Sequence, residues 1–427
     1  MLQNLKRLFQ TDVFKNFATL LSGTTLAQVI AFLIYPLVTR LYLPEEVGIF
    51  GTYMALAGAI GAIATAKYEQ AIMLPSKTKD GFHVLLLSLF STLTISFLLL
   101  LIIVLFFPFL SGGIKIIHDL NTWTYLLPVS VLLAGFMKSF ILWANRRKYF
   151  RDIASNNIFQ TSLNAVFRLG FGFAGYGTGG LIGGTLIGNG LTSAILSIKM
   201  LTKDHLNRFP VSYKKLKYWA IHYINFPKFE LLHSLVNNLS GNLPVLFFST
   251  YFSAESAGFY FLGFNVVFRP LSLISASIEQ VLSQRIIAKY NEAKPVRGEI
   301  FSILKGLFIL AILPFILFAL FTPAIFSIAF GEEWTEAGQY VQILLPWLFM
   351  VLLAGPFSFI PNVFYKQRKA MIIEIIYFIM RILALIIGIV NKDLYLALIL
   401  FGITGFVILS YKLFWYLALI HKYTVRE

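Results

Sequence analysis

Long apolar stretches run through most of the chain and are separated by short polar segments. A helix needs about 20 apolar residues to cross the hydrocarbon core of a membrane, and stretches of this length recur from Asn16 to Tyr416. The pattern therefore predicts an all-α integral membrane protein with 12 transmembrane helices. The predicted spans cover residues 16–40, 46–66, 82–107, 122–142, 157–175, 179–199, 226–249, 257–285, 301–322, 340–361, 371–390 and 394–417.

Polar residues inside several spans recur at intervals of three or four, which places them on one face of a helix. An ionised side chain in hydrocarbon costs about 2.5–3.5 kcal/mol, so it is expected to face a partner or a cavity. These polar stripes therefore predict helices that line a common lumen. The stripes are Asn157, Thr161, Asn164 and Arg168; Glu230, His233 and Asn237; Asn265, Arg269, Ser272 and Glu279; and Glu374, Tyr377 and Arg381.

The charges within the spans are mostly positive, which favours an anionic ligand in a low-dielectric cavity. Arginine binds phosphate through paired N–H donors, and neutral amides suit sugar hydroxyls, so the pattern indicates a lipid-linked saccharide. The predicted substrate-binding residues are Arg168, Arg269, Arg381, Lys138, Lys228, Asn157, Asn164, Asn237 and Asn265. Candidates for H⁺ or Na⁺ coupling are Glu230, Glu279 and Glu374, and Pro36 and Pro244 are expected to let their spans bend during gating.

Some of these assignments have a structural alternative. Lys138 and Lys228 lie near the ends of their spans, where a lysine can extend its ammonium to the interface without binding a ligand. Glu374 and Arg381 are two turns apart on one helix and could pair with each other. Both alternatives are left open by the sequence.

The composition is that of a membrane protein, and the distribution of charge predicts the orientation of the chain in the membrane. Hydrophobic residues make up 58% of the chain and charged residues 13%. A soluble domain has about 45–50% apolar residues and about 25% charged residues. Lys and Arg are concentrated in alternate connections, so the positive-inside rule predicts that both termini are cytoplasmic. The net charge of +16 is then explained by anionic lipid at the inner face rather than by nucleic acid. The absence of Cys excludes disulfides and cysteine metal sites.

The two halves of the chain resemble each other at an offset of 210 residues, and each contains six predicted spans. An even number of spans per half predicts a parallel repeat. The expected domains are an N-terminal six-helix bundle at 1–203, a cytoplasmic linker at 204–220 and a C-terminal six-helix bundle at 221–427. The matched pairs are Glu45 and Glu255, Gly48 and Gly258, Phe50 and Tyr260, and Glu69 and Glu279.

The sequence favours a transporter over an enzyme. No connection is long enough for a catalytic domain, and the GxxxxGK[ST], HExxH and GxSxG patterns are missing from the sequence. The segment Gly170–Gly190 contains ten glycines. Within it, Gly179 with Gly183 and Gly180 with Gly184 have the spacing that lets membrane helices pack closely, so we interpret them as a packing surface rather than a phosphate loop.

Several short motifs resemble one family. The stretch Ser22–Gln28 followed by Pro36–Phe50 is similar to the O-antigen and polysaccharide flippases, the Wzx-type proteins of the MOP transporter superfamily. Ser253–Tyr260 and Asn145–Lys148 are similar too. The resemblance implies two six-helix bundles that form a V around a central cationic lumen. It also implies export of undecaprenyl-pyrophosphate-linked oligosaccharide from the cytoplasmic to the outer leaflet without a cofactor, with a polysaccharide polymerase and glycosyltransferases as candidate partners.

Two other classes are less favoured. A MATE-like cation-coupled multidrug antiporter would require acidic groups in the first half, where the candidate is Glu69 at an inner span boundary. A membrane polysaccharide polymerase or ligase would require a large outside loop with basic and catalytic residues, but the predicted outside loops are short and acidic. We therefore expect a flippase that works by alternating access, with the headgroup in the lumen and the polyprenyl tail in lipid.

Overall fold

The protein is described by a computed structural model that covers residues 12–292 and 295–424, and almost all of these residues are helical. The long helices are α1 (Asp12–Leu41), α2 (Pro44–Gly61), α3 (Thr78–Gly113), α4 (Leu127–Arg146), α5 (Phe150–Phe173), α6 (Gly177–Lys203), α7 (Leu231–Tyr251), α8 (Ala254–Gly263 and Arg269–Asn291, joined by the π turn Phe264–Phe268), α9 (Arg297–Phe330), α10 (Thr335–Ala354), α11 (Gln367–Val390) and α12 (Leu394–Thr424).

Shorter elements lie between them. These are the helices Tyr68–Ala71, Lys115–Leu120, Tyr213–His222 and Ile360–Val363, the 3₁₀ turns Asn121–Leu126, Leu206–Arg208, Glu332–Trp334 and Gly355–Phe357, and the π turn Phe226–Glu230. No strand occurs in the part of the chain that the structure describes. The prediction of an all-α protein is therefore confirmed.

Eight helices of the described chain are long and apolar enough to cross a membrane by length and composition. They correspond to α3, α4, α6 and α8 to α12. A shorter apolar helix covers Thr25–Leu41 within α1. In α5 the polar stripe lowers the hydropathy, because it places amides and an arginine among the apolar residues. Each predicted span coincides with a long helix, while the number of helices that cross the membrane stays a prediction.

The contacts divide the chain into two compact units, Met1–Leu246 and Phe247–Glu427. The predicted linker at 204–220 packs on the first unit. Within it, Lys215 lies 3.1 Å from Asp80, and the Tyr68 hydroxyl donates to the carbonyl of Ala220. The unit boundary lies inside α7, which the sequence assigned to the second half. The two units therefore do not coincide with the predicted halves of six helices each, and the repeat of six helices stays a prediction.

Helices α5 and α6 approach each other along a stripe of glycines. A Cβ built on Gly184 would lie 2.8 Å from the backbone nitrogen of Arg168, and one on Gly188 would lie 2.8 Å from that of Asn164. Gly180 meets the Cβ of Phe171 at 2.8 Å in the same way. The interpretation of the glycine segment as a packing surface is confirmed, and Gly188 extends it by one turn.

The close contact between α5 and α6 leads to a prediction about substitutions in α6. Gly184→Ala should lower stability by about 1–3 kcal/mol, because a helix backbone cannot move aside as a side chain would. The gain in helix propensity of roughly 1 kcal/mol offsets only part of this cost. Gly183→Ala is the matched control, since its Cβ would meet Phe171 at 3.9 Å. Thermal unfolding in detergent should separate the two variants, and equal melting temperatures would contradict the close contact.

Prolines coincide with both π turns. Pro270 has no N–H to donate to the carbonyl of Val266, four residues earlier. The N–H of Arg269 instead donates to Phe264, five residues earlier, which is the hydrogen bond of a π turn. Pro227 lies within the other π turn, Phe226–Glu230. Each turn carries or adjoins predicted site residues: Lys228 and Glu230 in one, and Asn265 and Arg269 at the other.

Candidate functional site

Arg168 is placed in the first unit by α5 and is surrounded by groups from other helices. Its Nε donates to Thr185 of α6 at 2.9 Å, and its guanidinium lies 4.9 Å from the ring centre of Phe50. Its backbone carbonyl accepts a 2.6 Å hydrogen bond from the Tyr42 hydroxyl. Burial raises the pKa of Tyr42 to about 12, with a further contribution from Glu46, so this hydroxyl stays a donor at physiological pH.

A cluster of amides continues the polar face of α5. Gln160 and Asn164 both donate to the side-chain oxygen of Asn189, at 2.9 and 3.1 Å. The side-chain oxygen of Asn164 is buried and has no hydrogen-bond partner within the described part of the chain. Asn157 lies half-buried at the start of this face. Asn189 was not predicted from the sequence, because it lies in the glycine-rich part of α6 where small residues dominate the pattern.

A cleft opens between α5 and α6, toward the predicted cytoplasmic end. Its polar lining includes Asp152, which lies 2.6 Å from Lys199 and 2.8 Å from Lys203. Burial alone raises the pKa of the Asp152 carboxyl, but hydrogen bonds from both lysines outweigh burial and hold that pKa below its usual range. The cleft therefore presents an ion-paired mouth with hydroxyl and amide groups behind it. This cleft was not predicted from the sequence.

Lys138 is fixed inside the first unit. Its ammonium donates to the carbonyl of Gly61 at 2.7 Å, at the end of α2 where helix carbonyls lack partners. Beside it, Lys67 and Glu69 form a buried ion pair at 3.7 Å. A cation at a helix C-terminus is also favoured by the helix dipole. The structure thus gives Lys138 a capping contact, while its role in substrate binding stays a prediction.

Arg269, in the second unit, lies in an environment unlike that of Lys138. It lies near the middle of the apolar segment Ala254–Ile287, and its side chain is exposed. Among the described residues its guanidinium has no hydrogen-bonding, ion-pair or aromatic partner. Such a charge is too costly to leave in lipid, so it must face water or a ligand. Asn265, one turn earlier, is buried and donates to the carbonyl of Phe261 at 2.7 Å.

The remaining candidates of α7 lie near its start. Lys228 is exposed, with its ammonium 5.2 Å from the ring centre of Phe229. Glu230 lies 4.0 Å from His233, one turn later. The side chain of Asn237 lies outside the described residues. Pro244 lies inside α7, as Pro36 does inside α1, and each leaves the carbonyl four residues earlier without its helical donor.

The acidic candidates of the second unit are engaged by other side chains. Glu374 of α11 is bonded by Lys412 of α12, and Glu279 accepts from the hydroxyl of Ser358. The alternative in which Glu374 pairs with Arg381 is therefore wrong. Lys412, near the end of the last predicted span, was not among the residues predicted for the site. Among the described residues, no three His, Asp or Glu side chains are grouped to hold a metal ion.

Arg381 is enclosed by aromatic rings from three helices. Its guanidinium lies 4.1 Å from the ring centre of Phe401, 4.9 Å from that of Tyr377 and 5.1 Å from that of Trp347. Cation–π contacts of this kind stabilise a desolvated guanidinium. The structure therefore brings Arg381 into the interior of the second unit, where it resembles Arg168 with Phe50 in the first.

The sequence and the fold can be compared with those of known proteins. The sequence profile of a family described as polysaccharide biosynthesis protein matches residues 37–339, which is more than half of the chain. The chain belongs to the polysaccharide biosynthesis protein family. No curated protein matches the sequence.

Solved structures extend the comparison of this polysaccharide biosynthesis protein to its fold. The lipid II flippase MurJ in an inward closed conformation aligns with a TM-score of 0.74 and 13% identity, over 94% of this chain and 89% of its own. An inward-facing multidrug resistance MATE transporter aligns with a TM-score of 0.66 and 15% identity, over 92% of this chain and 96% of its own. A MOP superfamily transporter from Pyrococcus furiosus is described as having a binding pocket of reverse polarity. It aligns with a TM-score of 0.60 and 16% identity, over 97% of this chain and 97% of its own. The chain therefore has the MOP transporter fold.

Proposed function

We propose that this polysaccharide biosynthesis protein is a flippase. It moves an undecaprenyl-pyrophosphate-linked oligosaccharide, an O-antigen or capsule repeat unit, from the cytoplasmic to the outer leaflet of a bacterial inner membrane by alternating access. The observation that carries the proposal is Arg269, an exposed guanidinium near the middle of an apolar helix that has no partner among the described residues. The family is described as polysaccharide biosynthesis protein, and a guanidinium is the side chain that suits the pyrophosphate of a lipid-linked sugar.

Arg269 is the residue that we expect to bind the pyrophosphate. Its planar guanidinium can donate two parallel hydrogen bonds to one phosphate group. The π turn before it widens the helix backbone, a feature that is frequent at functional sites. Lys228 is exposed beside the other π turn and is the second candidate for the same anion. We assign Arg168 and Arg381 to the interior of their own units instead, because aromatic rings and hydroxyls already surround them.

The saccharide requires neutral hydrogen-bonding groups. The amide cluster of Gln160, Asn164 and Asn189, with Asn157 on the same helix face, offers donors and acceptors of the kind that sugar hydroxyls need. The unpartnered oxygen of Asn164 is one acceptor that a sugar hydroxyl could use. The membrane potential, negative inside, would assist the outward movement of an anionic headgroup by about 2.3 kcal/mol per charge per 100 mV.

The acid pairs favour the flippase over a cation-coupled antiporter. In the first unit the carboxylate of Glu69 is paired with Lys67 and accepts from Thr65. In the second unit Lys412 bonds Glu374 and Ser358 donates to Glu279. A drug cation needs a carboxylate that it can reach without displacing such partners. Among the coupling candidates, the side chains of Glu374 and Glu230 are 58% and 45% exposed, and each has a basic side chain beside it.

Deletion of the gene tests the proposal. We expect the lipid-linked repeat unit to accumulate on the cytoplasmic leaflet and the surface polysaccharide to be lost. The leaflet is assigned by digestion with a glycosidase, which should reach the saccharide in inside-out vesicles but not in spheroplasts. A plasmid copy of the gene should restore export. Normal surface polysaccharide in the deletion strain, or saccharide trapped on the outer leaflet instead, would refute a flippase.

A further inference from the structure

The cleft between α5 and α6 interrupts a face of the first unit that is otherwise apolar and exposed. Phe159 of α5 and Ile195 of α6 line the cleft and are 60% and 54% exposed. The same helix faces continue as Val166, seven residues after Phe159, and as Leu191, four residues before Ile195. Both of these side chains are exposed too. Because exposed apolar side chains of membrane helices contact lipid, we expect the cleft to open toward lipid at its predicted cytoplasmic end.

The two hydroxyl groups of the cleft wall present oxygens rather than donors. The Ser155 hydroxyl donates to the carbonyl of Asp152 at 3.1 Å, and the Thr192 hydroxyl donates to the carbonyl of Gly188 at 2.8 Å. A hydroxyl has one hydrogen to donate and two lone pairs, so each oxygen keeps the capacity to accept. The hydroxyls therefore favour a ligand that donates hydrogen bonds.

Asn156 adds a third acceptor to the cleft wall. Its side chain lines the cleft, the residue is only 6% exposed, and its amide nitrogen donates to the sulfur of Met137 at 3.3 Å. A thioether sulfur only accepts, so the nitrogen is the end of the amide that faces it. The amide oxygen has no hydrogen-bond partner within the described residues. Polar groups buried to this degree normally have a partner, so this oxygen points to a ligand with a donor.

The mouth of the cleft has the opposite preference. Asp152 is shared by Lys199 and Lys203, and the side chains of these lysines are 48% and 42% exposed. Each ammonium has three N–H donors, so its contact with Asp152 leaves donors for an anion. Two lysines and one carboxylate also leave one positive charge to be balanced. Basic groups beside a cleft between membrane helices on the cytoplasmic side bind lipid headgroups, so a lipid phosphate suits this mouth.

We infer that this cleft binds the headgroup of phosphatidylethanolamine. The phosphate contacts Lys199 and Lys203, the ammonium donates to Asn156 and to the hydroxyl oxygens, and the acyl chains follow the exposed faces of α5 and α6. Hydrogen bonds from a charged donor are stronger than those from a neutral one. The acceptors beside the Asp152 carboxylate therefore suit an ammonium better than the neutral hydroxyls of phosphatidylglycerol. None of these residues is assigned to the saccharide or the pyrophosphate, so the site does not depend on the flippase proposal.

Lipid binding by the purified full-length protein tests the inference. Native mass spectrometry in detergent gives the affinities for phosphatidylethanolamine, phosphatidylcholine and phosphatidylglycerol with the same acyl chains. Phosphatidylcholine has the same charges as phosphatidylethanolamine, but its quaternary ammonium has no N–H. Phosphatidylethanolamine should therefore bind about tenfold more tightly than phosphatidylcholine, and also more tightly than phosphatidylglycerol. Equal affinities for the ethanolamine and choline lipids would overturn the inference. So would tightest binding of phosphatidylglycerol, which would leave the cleft as a basic surface for anionic lipid.

Variants of the cleft wall locate the ammonium. Asn156→Leu and Thr192→Val each remove an acceptor, and each should reduce the preference for phosphatidylethanolamine while the affinity for phosphatidylcholine stays unchanged, which also shows that the variant is folded. Lys199→Gln should instead weaken the binding of both lipids. Thr202→Val is the matched control, since the Thr202 hydroxyl donates to the carbonyl of Ile198 outside the cleft, and it should keep the preference. A preference that persists in both Asn156→Leu and Thr192→Val would overturn the inference, because the ammonium would then bind elsewhere.

Discussion

Replacing Arg269 by glutamate should reduce export of the lipid-linked saccharide by at least tenfold to a hundredfold. Hydrogen bonds from a charged donor contribute about 1.5–3 kcal/mol, and each 1.36 kcal/mol corresponds to a factor of ten in rate. The carboxylate adds repulsion of the pyrophosphate, so the loss should exceed that of Arg269→Ala. Arg269→Lys keeps the charge but loses the paired donors, and it should retain partial export. Surface polysaccharide in the complemented deletion strain is the measurement.

The protein itself should be unaffected by these changes, because the Arg269 side chain is exposed and contacts no described partner. Expression and monodispersity in detergent check this point. Arg368→Glu is the matched control, since Arg368 is also exposed in the second unit but lies in the first turn of α11, outside the apolar core of that helix. Export at the wild-type level in Arg269→Glu, with the variant present in the membrane, would remove Arg269 from the substrate site.

The helices could be predicted from the sequence because each is an apolar stretch whose length is fixed by the membrane. The periodicity also placed Asn157, Asn164 and Arg168 on one face of α5 correctly, since spacing along a helix follows from its geometry. The two π turns were missed. A proline inside an apolar stretch indicates a bend, but it does not reveal that the N–H of Arg269 bonds five residues back.

The partners of the charged residues could not be predicted, because periodicity relates residues of one helix only. Arg381 is enclosed by rings from three helices, and the closest of them, Phe401, is twenty residues further along the chain. Glu374 is bonded by Lys412, from the following helix, rather than by a neighbour in its own. Lys138 caps a carbonyl of α2. Each of these contacts depends on how helices pack, and a single sequence carries no signal for that.

The asymmetry between the two halves is where structure adds most to the functional argument. A repeat that keeps an arginine on its fifth helix, with Phe50 or Tyr260 beside it, preserves a contact needed inside each unit. Arg269 departs from this pattern, since it lies on α8 and reaches no ring or acid in the described chain. A charge that the protein does not use internally is available to a substrate, and for this reason Arg269 is ranked above Arg168 and Arg381.

Asp204 should be the most sensitive position for the stability of the first unit. Its carboxylate is almost completely buried and accepts from the Trp143 indole at 2.7 Å, from the Arg147 Nε at 3.0 Å and from the Tyr149 hydroxyl at 2.8 Å. Asp204→Ala leaves these donors without an acceptor. Removal of one partner from a buried charged network costs about 3–5 kcal/mol. We therefore expect a large fall in the melting temperature, measured by thermal unfolding in detergent.

Two variants define the cause of that fall. Asp204→Asn keeps the shape and one side-chain oxygen, so it should lose less stability than Asp204→Ala. Asp80→Ala breaks the more exposed pair with Lys215, which should cost only about 0–1 kcal/mol. If Asp204→Ala and Asp80→Ala had the same melting temperature, Asp204 would be an ordinary surface carboxylate. If the order is as expected, Asp204 joins the end of α6 to the end of α4 and the start of α5, and the linker at 204–220 begins from a fixed point on the first unit.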